Sequence, residues 1–184
     1  MKGIIIYKGK YGATEQYAHM LAESTKFLLA KTEELKENDL DHYDCIVLGS
    51  SVYIGKLQLK EWMAEHAGEL RRKKLFIFIV CGTHPDDKVK IDQIIRDNIP
   101  AELKSAARIY FMRGRMNKKK LSFKDGLLLR MGAFLTRNPV DKKKMLTDYD
   151  EVSVTNLLPL MQSITEAAST HTKLSDPDLK PVSL

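Results

Sequence analysis

The chain has 184 residues, 43% hydrophobic and 29% charged, a balance that excludes wholesale disorder and fibrous folds and suits one domain with a single core. Its net charge of +6 is unevenly spread: between Arg113 and Lys144 eleven basic residues face only Asp125 and Asp141, so that segment carries +9 and the rest −3. The longest strongly apolar run, residues 75–81, falls far short of the roughly 20 residues of a membrane span.

Residues 2–7, apolar and β-branched without alternation, predict a buried parallel strand. A glycine-rich turn of residues 8–14 follows. Tyr17, Leu21, Phe27 and Leu28 then supply the apolar face of a helix reaching about Leu29. The polar stretch 30–38 has room for a short second strand and a loop. Residues 44–49 predict the next buried strand, and a serine-rich loop of residues 50–55 follows it. Leu59, Trp62, Met63, His66 and Leu70 repeat at helical spacing. Residues 74–80 predict a third strong strand, closed by Cys81-Gly82-Thr83-His84-Pro85. Ile91, Ile94 and Ile95 mark a helix limited by Pro100, and residues 107–112 are the last strand. After the basic segment, residues 148–168 predict a final helix that Pro159 should bend. The tail from Ser169, with two prolines and little apolar content, is expected to fray.

Strands alternating with helices predict an α/β, doubly wound parallel sheet of five strands with helices on both faces, formed by residues 1–168. Ligands of such sheets bind beyond the carboxyl ends of the strands, and the turns after Tyr7, Gly49 and Val80 all reach that edge with glycine, serine and threonine. Residues 8–14 join a strand to a helix start, where free N–H groups and the helix dipole favour an anion. Gly9 and Gly12 permit a chain folded around phosphate, Thr14 can donate its hydroxyl, and Lys8 or Lys10 can add charge. An ordinary βα turn with a threonine cap explains the same residues. The spacing matches neither the dinucleotide fingerprint nor the P-loop, which disfavours nicotinamide dinucleotides and ATP. Neither a nucleophile elbow nor a His-Glu-x-x-His helix occurs, and no ligand cluster supports a metal. His84 reads as a solvated loop histidine without a carboxylate partner at motif spacing. Cys45 and Cys81 lie in or beside apolar runs, as buried thiols rather than a disulfide or redox pair. The start shows no export signal, so a reducing cytoplasm is expected.

The run Ile4-Ile5-Ile6-Tyr7-Lys8-Gly9-Lys10-Tyr11-Gly12-Ala13-Thr14 resembles the FMN phosphate loop of the flavodoxin superfamily. It follows the longer variant, hydroxyl-hydroxyl-x-x-Gly-x-Thr, of the branch that includes the flavodoxin-like, menaquinone-dependent protoporphyrinogen dehydrogenase. Leu48-Gly49-Ser50-Ser51-Val52-Tyr53-Ile54-Gly55 resembles that branch's second flavin loop. The basic stretch after Met112, followed by Thr147-Asp148-Tyr149, resembles its long insertion. The resemblance implies the strand order 2-1-3-4-5 and FMN as cofactor. It places the phosphate on Lys8, Gly9, Lys10, Tyr11, Gly12, Ala13 and Thr14. The ring would sit among Ser50, Ser51, Val52, Tyr53, Ile54, Gly55, Cys81, Gly82 and Thr83, with Tyr53 against its face. Lys8 and Gly9 stand where the family often has two hydroxyl residues; the remaining donors and the two lysines are expected to sustain binding. The flavin carries the chemistry.

The insertion, residues 113–145, interleaves lysines and arginines with Leu121, Phe123, Leu127, Leu128, Leu129, Met131, Phe134 and Leu135, and predicts a helix over 122–136. Such a segment lies on an anionic membrane or packs its apolar face on the domain; a nucleic-acid role is disfavoured because no binding motif accompanies the charge. Cations near the flavin suit an acidic substrate or a membrane acceptor. The favoured expectation is an FMN-dependent oxidoreductase, with protoporphyrinogen as a candidate substrate. A flavodoxin-type carrier serving a redox partner and a non-catalytic membrane- or protein-binding module are the alternatives.

Overall fold

The computed structural model describes residues 1–36, 39–84 and 86–174. Strands and helices alternate from the start: β1 (Gly3–Lys8), α1 (Ala13–Thr25), β2 (Leu28–Lys31), β3 (Cys45–Tyr53), a short β4 (Lys56–Leu57), α2 (Lys60–Glu65), α3 (Ala67–Leu70), β5 (Lys74–Cys81), α4 (Lys88–Asn98), α5 (Ala101–Lys104) and β6 (Ala107–Arg113). The insertion follows as β7 (Arg115–Met116), α6 (Phe123–Leu135), α7 (Pro139–Met145) and β8 (Tyr149–Asp150), and α8 (Leu158–Leu174) closes the fold.

Five parallel strands lie in the order β2-β1-β3-β5-β6, which is 2-1-3-4-5 when those strands are numbered among themselves. β4 is an appendage, antiparallel to the end of β3. The order reverses between β1 and β3, so the chain leaves these neighbours in opposite directions and opens a crevice at their carboxyl ends. Unbroken apolar runs follow from burial on both faces. One core joins Ile4, Ile6, Ile46, Leu48, Ile77 and Ile79 to Met63, Leu70, Ile99 and Leu103 from the helical segments and connections between β3 and β6. The other joins Ile5, Val47, Phe76, Phe78 and Val80 to Tyr17 and Leu21 of α1 and to Leu160 and Ile164 of α8.

Several expected boundaries move, each for a local reason. α1 stops at Thr25 because Lys26 turns left-handed (φ 60°) and donates its N–H to Ala22 O at 2.8 Å. Leu28 and Leu29 thus belong to β2 rather than to the helix. β3 runs on past Gly49, paired with β5 as far as Ser51↔Val80, so Ser50, Ser51, Val52 and Tyr53 are strand rather than loop. Only Ile54 and Gly55 turn, both with positive φ (49° and 74°), as a tight hairpin requires. A β-branched residue is strained there, whereas asparagine tolerates the left-handed region. Ile54→Asn should therefore raise stability by about 1 kcal/mol in urea unfolding.

The expected helix through Leu59 and Leu70 breaks at His66, whose ring stacks on Trp62 (centroids 4.3 Å apart) with Nδ1 2.9 Å from Trp62 O. The expected final helix is divided as well. Its first part is β8, antiparallel to β7 through Arg115↔Asp150 and Met116↔Tyr149, then a 3-10 turn over Val154–Leu157. Pro159 is the second residue of α8, where the missing N–H has no partner to lose, so no bend results. α8 continues beyond residue 168 to Leu174; the rest of the tail expected to fray, 175–184, lies outside the described residues.

Candidate functional site

The carboxyl ends of β1, β3 and β5 meet the insertion around a cavity of about 470 Å³, within the range of small-molecule sites. Its floor begins at the first turn. Gly12, at φ 83°, precedes α1 and offers no side-chain cap, which leaves the N–H groups of the first helical turn available to an anion. At Gly9 a Cβ would lie 2.7 Å from Thr14 Cβ and Oγ1, so the chain folds back onto Thr14, which is buried.

Nine of the residues expected at the site wall this cavity: Lys10, Tyr11, Ala13, Thr14, Ser51, Val52, Tyr53, Ile54 and Cys81. The other seven serve around it. Lys8 turns away to Glu33 (2.8 Å) and holds that carboxyl down at about 2. Gly9 and Gly12 shape the turn. Ser50 is buried and its Oγ accepts the Leu59 N–H at 3.1 Å. Gly55 O accepts from Asn98 Nδ2 at 3.0 Å. Gly82 O accepts from Arg113 Nη1 at 2.6 Å, and a Cβ on Gly82 would press within 2.7 Å of Tyr149 Oη. Thr83 O accepts from the Cys81 thiol.

Ser51 Oγ is buried and has no hydrogen-bond partner among the described residues. A buried orphan hydroxyl in a cavity wall is a place for a ligand's polar atom. Burial pushes the Cys81 thiol up, which suits a packing role rather than a nucleophile. His84 does have a carboxylate neighbour, contrary to expectation, but the pair with Asp86 (3.2 Å) is solvent-exposed.

The remainder of the wall comes mostly from the insertion, with Arg115, Asn117, Lys120, Leu121, Asp125, Leu128, Leu129, Met145 and Tyr149. Sequence reasoning did not place these at the site. Asp125 is the informative omission. Ser122 caps α6 by accepting the Asp125 N–H at 3.2 Å, and that turn aims the Asp125 carboxylate inward, 7% exposed. Tyr11 Oη and Tyr53 Oη (2.5 Å) donate to it, and Lys10 Nζ lies at 2.7 Å. Lys10, then the two tyrosines, hold this carboxyl well below the usual carboxylate range, and Asp125 in turn raises Lys10. Lys10 also stands 3.7 Å from the Tyr53 ring centroid. One acid of the insertion thereby ties α6 to both loops. Its signal in the sequence is its position, an isolated acid in a basic run three residues after a helix cap.

The base of the insertion is fastened separately. Arg113 donates to both carboxylate oxygens of Glu151, and Arg115 reaches Asp150 and Gln16, each at 2.6 Å. Buried Tyr17 donates to Arg113 O at 2.8 Å and accepts from Asn156 Nδ2 at 2.7 Å.

These groups fit the FMN that the resemblance implies. The α1 turn and Thr14 suit a phosphate, the orphan Ser51 hydroxyl a polar ring edge, and Tyr53, Val52 and the α6 leucines a flat apolar body. The two lysines beside the loop are paired within the protein, Lys8 with Glu33 and Lys10 with Asp125.

Solved structures to which the chain is similar include the following three. One is the rubredoxin oxygen:oxidoreductase of Desulfovibrio gigas, with 13% identity over 95% of this chain and 37% of that one, at a TM-score of 0.46. Another is the two-electron reduced flavodoxin of Megasphaera elsdenii, with 19% identity over 59% and 82%, at 0.44. The third is a Lactobacillus acidophilus flavoprotein in complex with FMN, with 15% identity over 61% and 91%, at 0.43. No curated protein matches. Among known families, the one described as Flavodoxin domain matches residues 4–153. With its sheet order, its glycine-folded first loop and this match over most of its length, the chain belongs to the flavodoxin domain family.

Proposed function

We propose that the chain binds FMN and is an oxidoreductase of the protoporphyrinogen dehydrogenase type, working in the cytoplasm. The observation that carries this reading is the roof of the cavity. α6 and α7 cover the flavin loops with Leu128, Leu129 and Met145, while Lys120 and Asn117 stand in the same wall. A carrier that only passes electrons to a protein partner needs no such chamber. A large apolar substrate bearing carboxylates does, with Leu121 and Met145 for its body and Lys120 for its acid groups.

FMN, when bound, supplies the transfer of electrons or hydride. The polypeptide's part is placement. The first turn of α1 and the Thr14 hydroxyl hold the phosphate, Ser51 meets the polar edge of the ring, and Tyr53 with the α6 leucines keeps water from its face. A dry, fixed surround strengthens each polar contact to the ring.

The test begins with the absorbance spectrum of protein purified from cells, identification of the released cofactor, and calorimetric titration with FMN. Gly9→Ala would displace Thr14 from the loop and is expected to weaken FMN binding about 10- to 100-fold, the weight of one hydrogen bond to a charged group. A colourless protein indifferent to FMN rejects the proposal and leaves a non-catalytic module. Flavin reduction accelerated by protoporphyrinogen under anaerobic conditions supports the enzyme. No acceleration, with FMN tightly held, identifies a flavodoxin-type carrier.

A further inference from the structure

The two faces of α6 are inverted relative to a helix packed on a core. Asp125, Leu129 and Ala133, spaced four apart, face the domain: Asp125 and Ala133 are buried, and Leu129 is partly so. The opposite stripe consists of Phe123, Leu127, Met131 and Phe134, which are 89%, 51%, 53% and 81% exposed. A helix in water turns its apolar stripe inward. Here a charged side chain is turned inward, held by Lys10, Tyr11 and Tyr53, and large apolar ones are left outside. The latch holds the helix in this rotation, with the apolar stripe outward.

We propose that this outward face of α6 docks the protein on an anionic lipid bilayer. Charge selects the occupant. Lys124 and Arg130 flank the stripe and are exposed, within a segment of net charge +9. A second copy of the chain would set +9 against +9, whereas anionic headgroups complement it and the interface receives the phenylalanines. Among the described residues no helix is long and apolar enough to cross a membrane, so the contact is one of lying on the surface. Leu128 both lines the cavity and is exposed, so docking sets the cavity mouth at the bilayer. The inference does not rest on flavin binding, and its test reads lipid rather than cofactor.

The full chain is sedimented with vesicles of phosphatidylcholine, with and without phosphatidylglycerol, at low and high salt. Binding is expected with phosphatidylglycerol only, and it should weaken as salt rises. The double variant F123S/F134S is expected to reduce the bound fraction about tenfold or more, from the loss of apolar burial, and K124E/R130E is expected to reduce it as well. Both are checked for an unchanged circular dichroism melt. Because these variants sit on the surface, they are expected to fold. A single Phe134→Trp variant, in a Trp62→Phe background, should shift its emission to the blue with the anionic vesicles. Equal binding to neutral vesicles, or undiminished binding of F123S/F134S, overturns the proposal. So does a lipid-free dimer that F123S/F134S dissociates, because it would give the face to a second copy.

Discussion

Phe78→Ala lowers the free energy of unfolding by about 3–5 kcal/mol, the upper end for a single truncation in this fold. The ring is fully buried on the interior strand β5. It lies edge-on to Tyr17 of α1, centroids 6.5 Å apart at 68°, and its tip covers Gly49 of β3, where an added Cβ would come within 2.2 Å of Cζ. The same contact makes Gly49→Ala destabilising by about 1–3 kcal/mol, through overpacking. The two changes are opposite in volume at one place. In the double variant the new methyl enters the space the ring leaves, so the losses should fall short of their sum by about 0.5–3 kcal/mol. Urea unfolding of the four proteins decides the matter, and strict additivity would mean that Gly49 is not present to accommodate Phe78.

Asp125→Asn frees α6 without disturbing the sheet. The variant keeps a hydrogen-bonding side chain but removes the charge that draws Lys10 inward. Amides of residues 117–146 should exchange faster and trypsin should cut there sooner, while amides of β1, β3 and β5 stay unchanged. The pH dependence has a definite sign. The Asp125 carboxyl is depressed, chiefly by Lys10, so its contribution is full above the unfolded value of about 3.9 and fades as acid carries the pH down through the folded value. Lys10 is raised, chiefly by Asp125. Its contribution therefore holds below the unfolded value of about 10.4 and fades as the pH climbs through the folded one. Protection of α6 should thus be level from about pH 5 to 9 and fall on either side, whereas Asp125→Asn should show no acid limb. Identical exchange in the two proteins would remove Asp125 from its role as the latch.

What could be read from residues alone was whatever repeats or touches its chain neighbours. β1, β3 and β5 announce themselves because burial on both faces demands uninterrupted apolar runs, and the glycines of the first loop mark a turn wherever they occur. The second strand, given room in 30–38, begins earlier, at Leu28, because Phe27, Leu28 and Leu29 extend the spacing of α1 and only the left-handed Lys26 divides them. The second loop was overestimated because Ser50 and Ser51 look like loop residues while pairing with β5 as strand. The site was half legible for the same reason. The nine expected residues that wall the cavity lie at or just beyond the carboxyl ends of β1, β3 and β5. Asp125 and Tyr149 reach it from far along the chain, through a helix and a two-residue strand pair whose local composition says nothing of destination.

The β7–β8 pair has a wider consequence. Met116 and Tyr149 are cross-strand partners, so everything between them departs from and returns to one point just past the end of β6. The entropy of closing such an excursion grows only with the logarithm of its length, and the strand pair closes it at its base. Length and sequence beyond the clasp are thus free to drift while the five strands stay as they are, and a single scaffold can wear canopies of different size and chemistry.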